Sequence, residues 1–300
     1  MLIGRKNLRI YSSGTNKMLN KTITVSQLAS RLGDSGISSP VINAEIMLSH
    51  LLGLRAVDLY TNKISISLED SELLEQMITR RINGEPLQYI TGKTNFYGND
   101  IVVREGVFIP RPETEILVDT VIAYVKTDES LILDLCTGSG NIAISLTKSL
   151  THCKIIASDI SETALKVAGE NARLNRVFDR IAFIKADLLS VPGAYRKAFD
   201  IIVCNPPYVR CSDTENFSNE LRREPIKAFY GGTDGMDFYM RIAEDAPGFL
   251  KDNGLIALEI PDNSRLEVED IIMSSENFSE IRFFSDLNNI ERVVIARLKG

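Results

Sequence analysis

The stretch LILDLCTGSGNIAISLTKSL, Leu131 to Leu150, joins a short apolar run to a helical pattern through a loop of small residues. Leu131 to Leu135 reads as a buried strand, being apolar, short and bounded by turn residues. Asn141 to Leu150 carries apolar residues at three- and four-residue steps, which predicts a helix. Between the two, Gly138 and Gly140 let the backbone approach a ligand closely, and the helix start behind them offers unpaired N–H groups.

The alternation continues toward the C-terminus. CKIIASDI (Cys153 to Ile160), RIAFIKAD (Arg180 to Asp187) and FDIIVC (Phe199 to Cys204) read as strands, with a helix over Ser161 to Asn175. Strands separated by helices imply right-handed crossovers and a mostly parallel sheet. GLIALEI (Gly254 to Ile260) and a helix around Asn263 to Ser275 follow, then EIRFFSDL and ERVVIARL with Asn288 to Ile290 between them. So short a connection forces that last pair antiparallel. The expected fold is α/β: a Rossmann-like, seven-stranded, mostly parallel sheet ending in an antiparallel hairpin.

Toward the N-terminus the pattern changes. From Thr22 to about Asn83, Leu28, Leu32, Ile46, Leu51, Leu73, Leu74 and Ile78 recur at helical steps, with a helix start at Ser67 to Ser71, so a small helical bundle is expected. GEPLQYITGKTNFYGNDIVVREGVFIPRP (Gly84 to Pro112) has β-branched and aromatic residues around glycines and predicts a hairpin rather than a helix. Pro112 suits the first turn of a helix running through PETEILVDTVIAYVKT. The expected organisation is a tail over 1–20, a helical substrate-recognition domain over 21–84, a hairpin linker over 85–111 and a catalytic domain over 112–300. The first 17 residues are basic, free of acids and lack a signal-peptide core, which fits a disordered tail, a short targeting peptide or an upstream start before Met18.

Three hundred residues suit one large and one small domain, and 44% hydrophobic with 25% charged residues is ordinary for a soluble chain. A net charge of −6 argues against broad coating of nucleic acid. The four cysteines form no CxxC pair and there are two histidines, so no metal site is expected. Three of the cysteines lie in or beside apolar runs, which suits reduced thiols and a cytoplasmic protein. His50 is expected to pack within its helix. No run approaches the roughly 18 apolar residues of a membrane span.

The glycine loop leaves two cofactors open. Gly138, Gly140 and Ala143 satisfy the dinucleotide pattern, with Asp159 about 20 residues on at the end of the next strand. An acid there suits two ribose hydroxyls in either reading. Asp187, ending the third strand, can accept from an adenine amino group, with Leu188 packing on the ring; its structural alternative is a turn or helix cap. The quartet Asn205-Pro206-Pro207-Tyr208, at the end of the fourth strand, discriminates. A planar NH₂ is a poor nucleophile whose two hydrogens need two acceptors, and the Asn205 side-chain oxygen and the Pro206 carbonyl supply them at a corner made rigid by two prolines. Tyr208 would cover the flat face by stacking. Such a nitrogen needs an electrophilic methyl, which S-adenosylmethionine provides and a nicotinamide does not.

These residues carry a resemblance. The chain is similar to the class I S-adenosylmethionine-dependent methyltransferases and, among them, to the peptide chain release factor glutamine methyltransferase family. The resemblance rests on EPLQYITG (Glu85 to Gly92), FIPRPETEILV (Phe108 to Val118), LDLCTGSGNIA (Leu133 to Ala143), NPPYV (Asn205 to Val209), REP (Arg223 to Pro225), GGTDGMDFY (Gly231 to Tyr239) and ERVVIAR (Glu291 to Arg297). It implies transfer of a methyl group to the glutamine amide of the Gly-Gly-Gln motif in release factors, with S-adenosylhomocysteine as product. It also implies that the N-terminal helices grip the release factor, and a monomer without direct contact to nucleic acid or membrane is expected.

By the same resemblance Cys136, Thr137, Gly138, Ser139 and Gly140 lie along the methionine and ribose, Asp159 on the ribose hydroxyls, and Asp187 and Leu188 at the adenine. Asn205, Pro206 and Tyr208 are the catalytic candidates, Asn205 also facing the cofactor. Pro207, Phe96, Arg111 and Glu113 complete the substrate pocket. The family commonly has glycine where this chain has Cys136, and often Gly-Asp-Asn-Glu-Arg where it has Asn288 to Arg292. The alternatives are an amino methyltransferase of a nucleic-acid base, a ribosomal-protein glutamine methyltransferase, a nicotinamide dehydrogenase and a cofactor-binding adaptor without transfer chemistry. The Arg111 to Thr114 form favours the release factor over the ribosomal protein.

Overall fold

A computed structural model of the chain describes residues 21–61, 64–125 and 129–300. The tail expected over 1–20 lies outside them. The chain divides into two compact units, Met1–Asn83 and Gly84–Gly300.

In the first unit, β1 (Lys21–Ile23) pairs antiparallel with β2 (Ile64–Ile66). The helices are α1 (Val25–Asp34), α2 (Pro40–Leu52), α3 (Asp58–Thr61) and α4 (Leu68–Ile82). Thr24 and Gln27 form a reciprocal capping box at the start of α1, and Ser67 accepts from the Asp70 amide at the start of α4. Leu28, Leu32, Leu74 and Ile78 are buried as expected, but Ile46 and Leu73 are 40% and 47% exposed, and Leu51 is half-buried. The buried stripe of α2 is Asn43, Ala44, Met47 and Leu48, and that of α4 is Leu74, Met77, Ile78 and Arg81. His50, expected to be packed, is exposed in the last turn of α2. The small sheet escaped the sequence reading because its strands are three residues each.

The second unit opens with α5 (Leu87–Thr91), where no helix was expected; Pro86 starts it and Gly92 ends it at φ +73°. The predicted hairpin is narrower than 85–111. It comprises β3 (Lys93–Phe96) and β4 (Asn99–Val102), joined by Tyr97 and Gly98, both at positive φ as a two-residue turn requires. A 3-10 turn at Pro112–Thr114 leads into α6 (Glu115–Tyr124). Then come β5 (Leu131–Leu135), α7 (Asn141–Ser149), β6 (Lys154–Asp159), α8 (Glu162–Leu174), β7 (Ile181–Lys185), β8 (Phe199–Cys204), α9 (Cys211–Thr214), α10 (Asp237–Asp245), β9 (Leu250–Glu259), α11 (Arg265–Ser274), β10 (Phe278–Ser285) and β11 (Glu291–Leu298).

The main sheet has seven strands in the order β10-β11-β9-β8-β5-β6-β7. β9, β8, β5, β6 and β7 run parallel, while β11 and β10 are antiparallel. Both faces are buried, so the pleat sends Ile132, Ile155 and Ile201 into one apolar layer and Leu133, Ile156 and Ile202 into the other. β10 stops at Ser285, two residues short of the reading. Asp286 leaves the ladder to accept from the Asn288 and Ile290 amides and to pair with Arg292, closing the turn. The strand order reverses between β5 and β8, which opens a crevice at the carboxyl ends of the parallel strands. Among the described residues no helix is long and apolar enough to cross a membrane.

Candidate active site

The crevice holds a cleft of about 840 Å³ lined by both the glycine loop and the Asn-Pro-Pro-Tyr corner. At the loop, Cys136, Gly138 and Gly140 all take left-handed φ, at 55°, 54° and 81°. Gly140 has no room for a side chain, since a Cβ there would sit 3.0 Å from that of Ala168 on α8. The Thr137 hydroxyl donates to Asp134 Oδ2 at 2.6 Å, and the Thr137 amide to the Ser158 carbonyl at 2.9 Å, so the loop is fastened to β5 and β6. Asp134 is fully buried and its Oδ1 has no partner among the described residues; burial pushes the carboxyl up to about 7 against the Thr137 hydrogen bond.

Asp159, at the end of β6, accepts from the Gly138 amide at 2.9 Å and from the Ser161 amide at 2.8 Å. Burial raises its pKa, and those backbone donors hold it back. It therefore shapes the loop as well as facing the cleft. Leu188 lines the cleft from a left-handed position, and beside it Asp187 pairs with Arg241 of α10 at 2.9 Å. Ser139 and Gly140 are buried behind the cleft rather than lining it; the Ser139 hydroxyl bonds Asn141. Cys136 lines the cleft and its thiol meets that of Cys204, which burial keeps protonated well above its ordinary value.

On the transfer side, Asn205 Nδ2 donates to Thr114 Oγ1 at 3.2 Å. Its Oδ1 and the Pro206 carbonyl take no donor among the described residues. Both acceptors thus remain available at a corner whose peptides are all trans. Tyr208 lines the cleft, but it is not a free lid: its hydroxyl turns inward to Glu259 Oε1 at 3.4 Å, and burial raises its pKa well above the usual phenol range. Glu259, the last residue of β9, is buried, and its Oε2 has no partner among the described residues. Burial pushes this carboxyl up to about 7, while the Thr114 and Tyr208 hydroxyls and Arg292 favour its charged form.

The Gly231 to Gly235 loop forms the base of the corner. A Cβ at Gly231 would lie 2.6 Å from Tyr208 Cα and 2.7 Å from the Pro207 carbonyl, so only glycine lets the two backbones touch. Gly231 donates to the Val209 carbonyl and Val209 to the Phe229 carbonyl, at 2.9 and 2.7 Å. An aromatic wall completes the cleft: Phe229 sits edge-on to Phe108 and Phe217, at 5.3 and 5.1 Å, and the Arg111 guanidinium lies over Phe108 at 4.7 Å. Arg111 is held by buried Glu224, which also accepts from the Ile109 amide at 3.0 Å.

Two expected pocket residues are not there. Phe96 is 1% exposed and packs in the core with Ile101, because the hairpin turns that face inward. Glu113 is exposed and does not line the cleft, although its charge is felt at Glu259. Thr114, Glu259, Phe108 and Phe229 were not singled out as site residues. Thr114 and Phe108 at least lay inside a quoted motif, whereas Glu259 ends an apolar run with nothing beside it to mark its role.

Two family models match the chain: a PrmC N-terminal domain over residues 24–92 and a methyltransferase small domain over 101–224. A release factor glutamine methyltransferase from Thermodesulfovibrio yellowstonii is 38% identical over 84% of this chain and 90% of its own length. The chain belongs to the release factor glutamine methyltransferase family. A further relative of the same description, from Clostridium acetobutylicum, is 37% identical over 85% of this chain and 90% of its own. A crystal structure of a methyltransferase from Pyrococcus furiosus shares the fold, with a TM-score of 0.51, 19% identity and coverage of 68% of this chain and 90% of that one. The enzyme is thus a methyltransferase, and the seven-stranded sheet described above is that of its class.

Proposed function

We propose that this enzyme transfers the methyl group of S-adenosylmethionine to the side-chain amide nitrogen of the glutamine in the Gly-Gly-Gln motif of peptide chain release factors. The observation that carries the reading is the pair of undonated acceptors, Asn205 Oδ1 and the Pro206 carbonyl, facing the same cleft as the glycine loop. An amide NH₂ seated there gives one hydrogen to each acceptor. Its lone pair is then free to point across the cleft, and orienting it supplies most of what a weak nucleophile lacks.

The residues of the loop fit the cofactor. Gly138 leaves a cradle without a side chain, Gly140 behind it lets the loop pack against α8, Asp159 offers a carboxylate to ribose hydroxyls, and Leu188 offers an apolar surface to a base. When bound, S-adenosylmethionine supplies a methyl group on a positively charged sulfur. The chain's part is to bind, to orient the amide and to exclude water behind Tyr208 and the aromatic wall. The N-terminal helices are assigned to gripping the release factor, a reading supported by the family match over 24–92.

The test is to incubate the enzyme with methyl-labelled cofactor and a release factor, then locate label by peptide mass spectrometry. Label on the glutamine of the Gly-Gly-Gln peptide is expected. Label elsewhere, or on a nucleic-acid base instead, overturns the reading.

A further inference from the structure

We propose that Thr114 and Glu259 are positioning residues that fix which end of the Asn205 amide faces the cleft; this rests on the function proposed above. The two ends of an asparagine amide have nearly the same shape and opposite hydrogen-bonding character. Only with Nδ2 turned away does Asn205 offer an acceptor to a substrate NH₂. Something must therefore choose the orientation.

The choice is made behind the corner. Nδ2 donates to Thr114 Oγ1 at 3.2 Å. Thr114 is 1% exposed and is held by its own amide, which donates to the Arg111 carbonyl at 3.1 Å. A hydroxyl has one proton, and the carboxyl whose charged form the Thr114 hydroxyl favours is that of Glu259, whose buried Oε2 has no partner among the described residues. An ionised Glu259 can only accept. It takes the Thr114 proton, leaves the Thr114 lone pairs for Nδ2 and so turns Oδ1 to the cleft. The same carboxylate accepts from Tyr208 at 3.4 Å, so one group aligns both side chains of the quartet.

A protonated Glu259 reverses the chain. Its own O–H donates to Thr114, the Thr114 proton becomes free to face Asn205, and the amide turns its donor end to the cleft. The groups facing Glu259 are Tyr208 from the corner, Thr114 and Glu113 from the 3-10 turn, Arg292 from β11 and Tyr239 from α10, whose hydroxyl donates to the Glu259 main-chain oxygen at 2.8 Å. Burial pushes Glu259 up to about 7 and raises both tyrosines above the usual phenol range, so they stay protonated throughout. Transfer is therefore expected to switch on as pH rises through about 7.

The experiment measures methyl transfer to a release factor by the full-length enzyme from pH 5.5 to 9, with cofactor affinity followed separately by calorimetry. Thr114→Val, which keeps the shape and removes the hydroxyl, should lower kcat about tenfold or more with cofactor affinity unchanged, the size expected when one group that aligns a substrate is lost. Thr114→Ser should recover kcat to within about threefold, because the hydroxyl is back. Glu259→Gln should lose the rise of kcat near neutral pH while the wild type keeps it. Thr114→Val with wild-type kcat, or a wild-type profile flat across pH 7, overturns the proposal and leaves the proposed function standing. Absence of transfer by the wild type itself overturns both.

Discussion

Asp134 and Glu259 stand on β5 and β9, the two strands that flank β8 and hence the entry to Asn205. Both are buried, each has one oxygen without a partner among the described residues, and burial pushes both up to about 7. Their surroundings differ in origin. Asp134 is answered by Thr137, three residues along its own turn. Glu259 is answered by Tyr208, 51 residues away, and by Thr114 from the far end of the unit. The acid behind the cofactor half is therefore answered within its own turn, and the acid behind the transfer half only by the folded unit as a whole.

If the halves are built separately, they should fail separately. The largest effect is expected from Asn205→Ala, which removes one of the acceptors proposed for the substrate nitrogen while leaving the glycine loop untouched. Loss of a donor or acceptor aimed at the reacting group costs on the order of 10²–10³ in kcat. Calorimetry should find cofactor affinity nearly unchanged; equal loss of both would mean the corner also holds the cofactor and would erase the distinction. Next comes Gly231→Ala. Its Cβ would meet Tyr208 Cα at 2.6 Å, so the corner must shift, and overpacking of this kind costs about 1–3 kcal/mol. Reduced transfer and a lower unfolding midpoint, with cofactor affinity retained, are expected.

Asp159→Ala probes the other half. It removes the acceptor proposed to face the ribose and also the carboxylate that orders the Gly138 and Ser161 amides. Cofactor binding should weaken by about 1–3 kcal/mol, the cost of hydrogen bonds to a charged group. At saturating cofactor, kcat should change little. Calorimetry and a saturation curve separate the two, and a kcat defect surviving saturation would show the halves to be coupled.

The same contrast explains what could be read from the chain alone. Leu131 to Gly140 and Asn205 to Tyr208 were legible because strand, turn and loop chemistry are written within ten residues of each other. Asp159 followed from its place at the end of a strand. Phe96 was misplaced into the pocket because a hairpin's alternation shows that Phe96 and Ile101 can share a face, but not which face the core will cover. Glu259 was missed for a deeper reason. Its partners lie on a 3-10 turn and a loop that meet β9 only in three dimensions, and no local pattern distinguishes it from an acid at the mouth of any strand. In the N-terminal unit, the exposure of Ile46 and Leu73 beside buried Met47 and Leu74 has the same origin, since packing rather than periodicity selects among adjacent apolar residues.

The smallest predicted effect tests whether the two flanking acids are energetically alike. Each has a folded pKa of about 7, above its ordinary value of 3.8 for Asp134 and 4.5 for Glu259. Between those limits the folded chain holds protons that the unfolded chain has released. The contribution of each group to stability is then greatest at low pH, declines as pH rises toward about 7 and is flat above it. Asp134→Asn and Glu259→Gln should each abolish its share of that decline, so each variant gains on the wild type between pH 5 and pH 8 by on the order of 1–3 kcal/mol. Urea unfolding at the two pH values measures it, provided the urea dependence is unchanged. Parallel losses in wild type and variants would refute the shifts. A gain confined to Asp134→Asn would mean that Arg292 and the two hydroxyls stabilise the Glu259 carboxylate enough to cancel its burial. A gain at both sites would mean that the enzyme carries an ionised acid beside its catalytic corner at a cost to the fold, in the pH range where orienting Asn205 requires that charge.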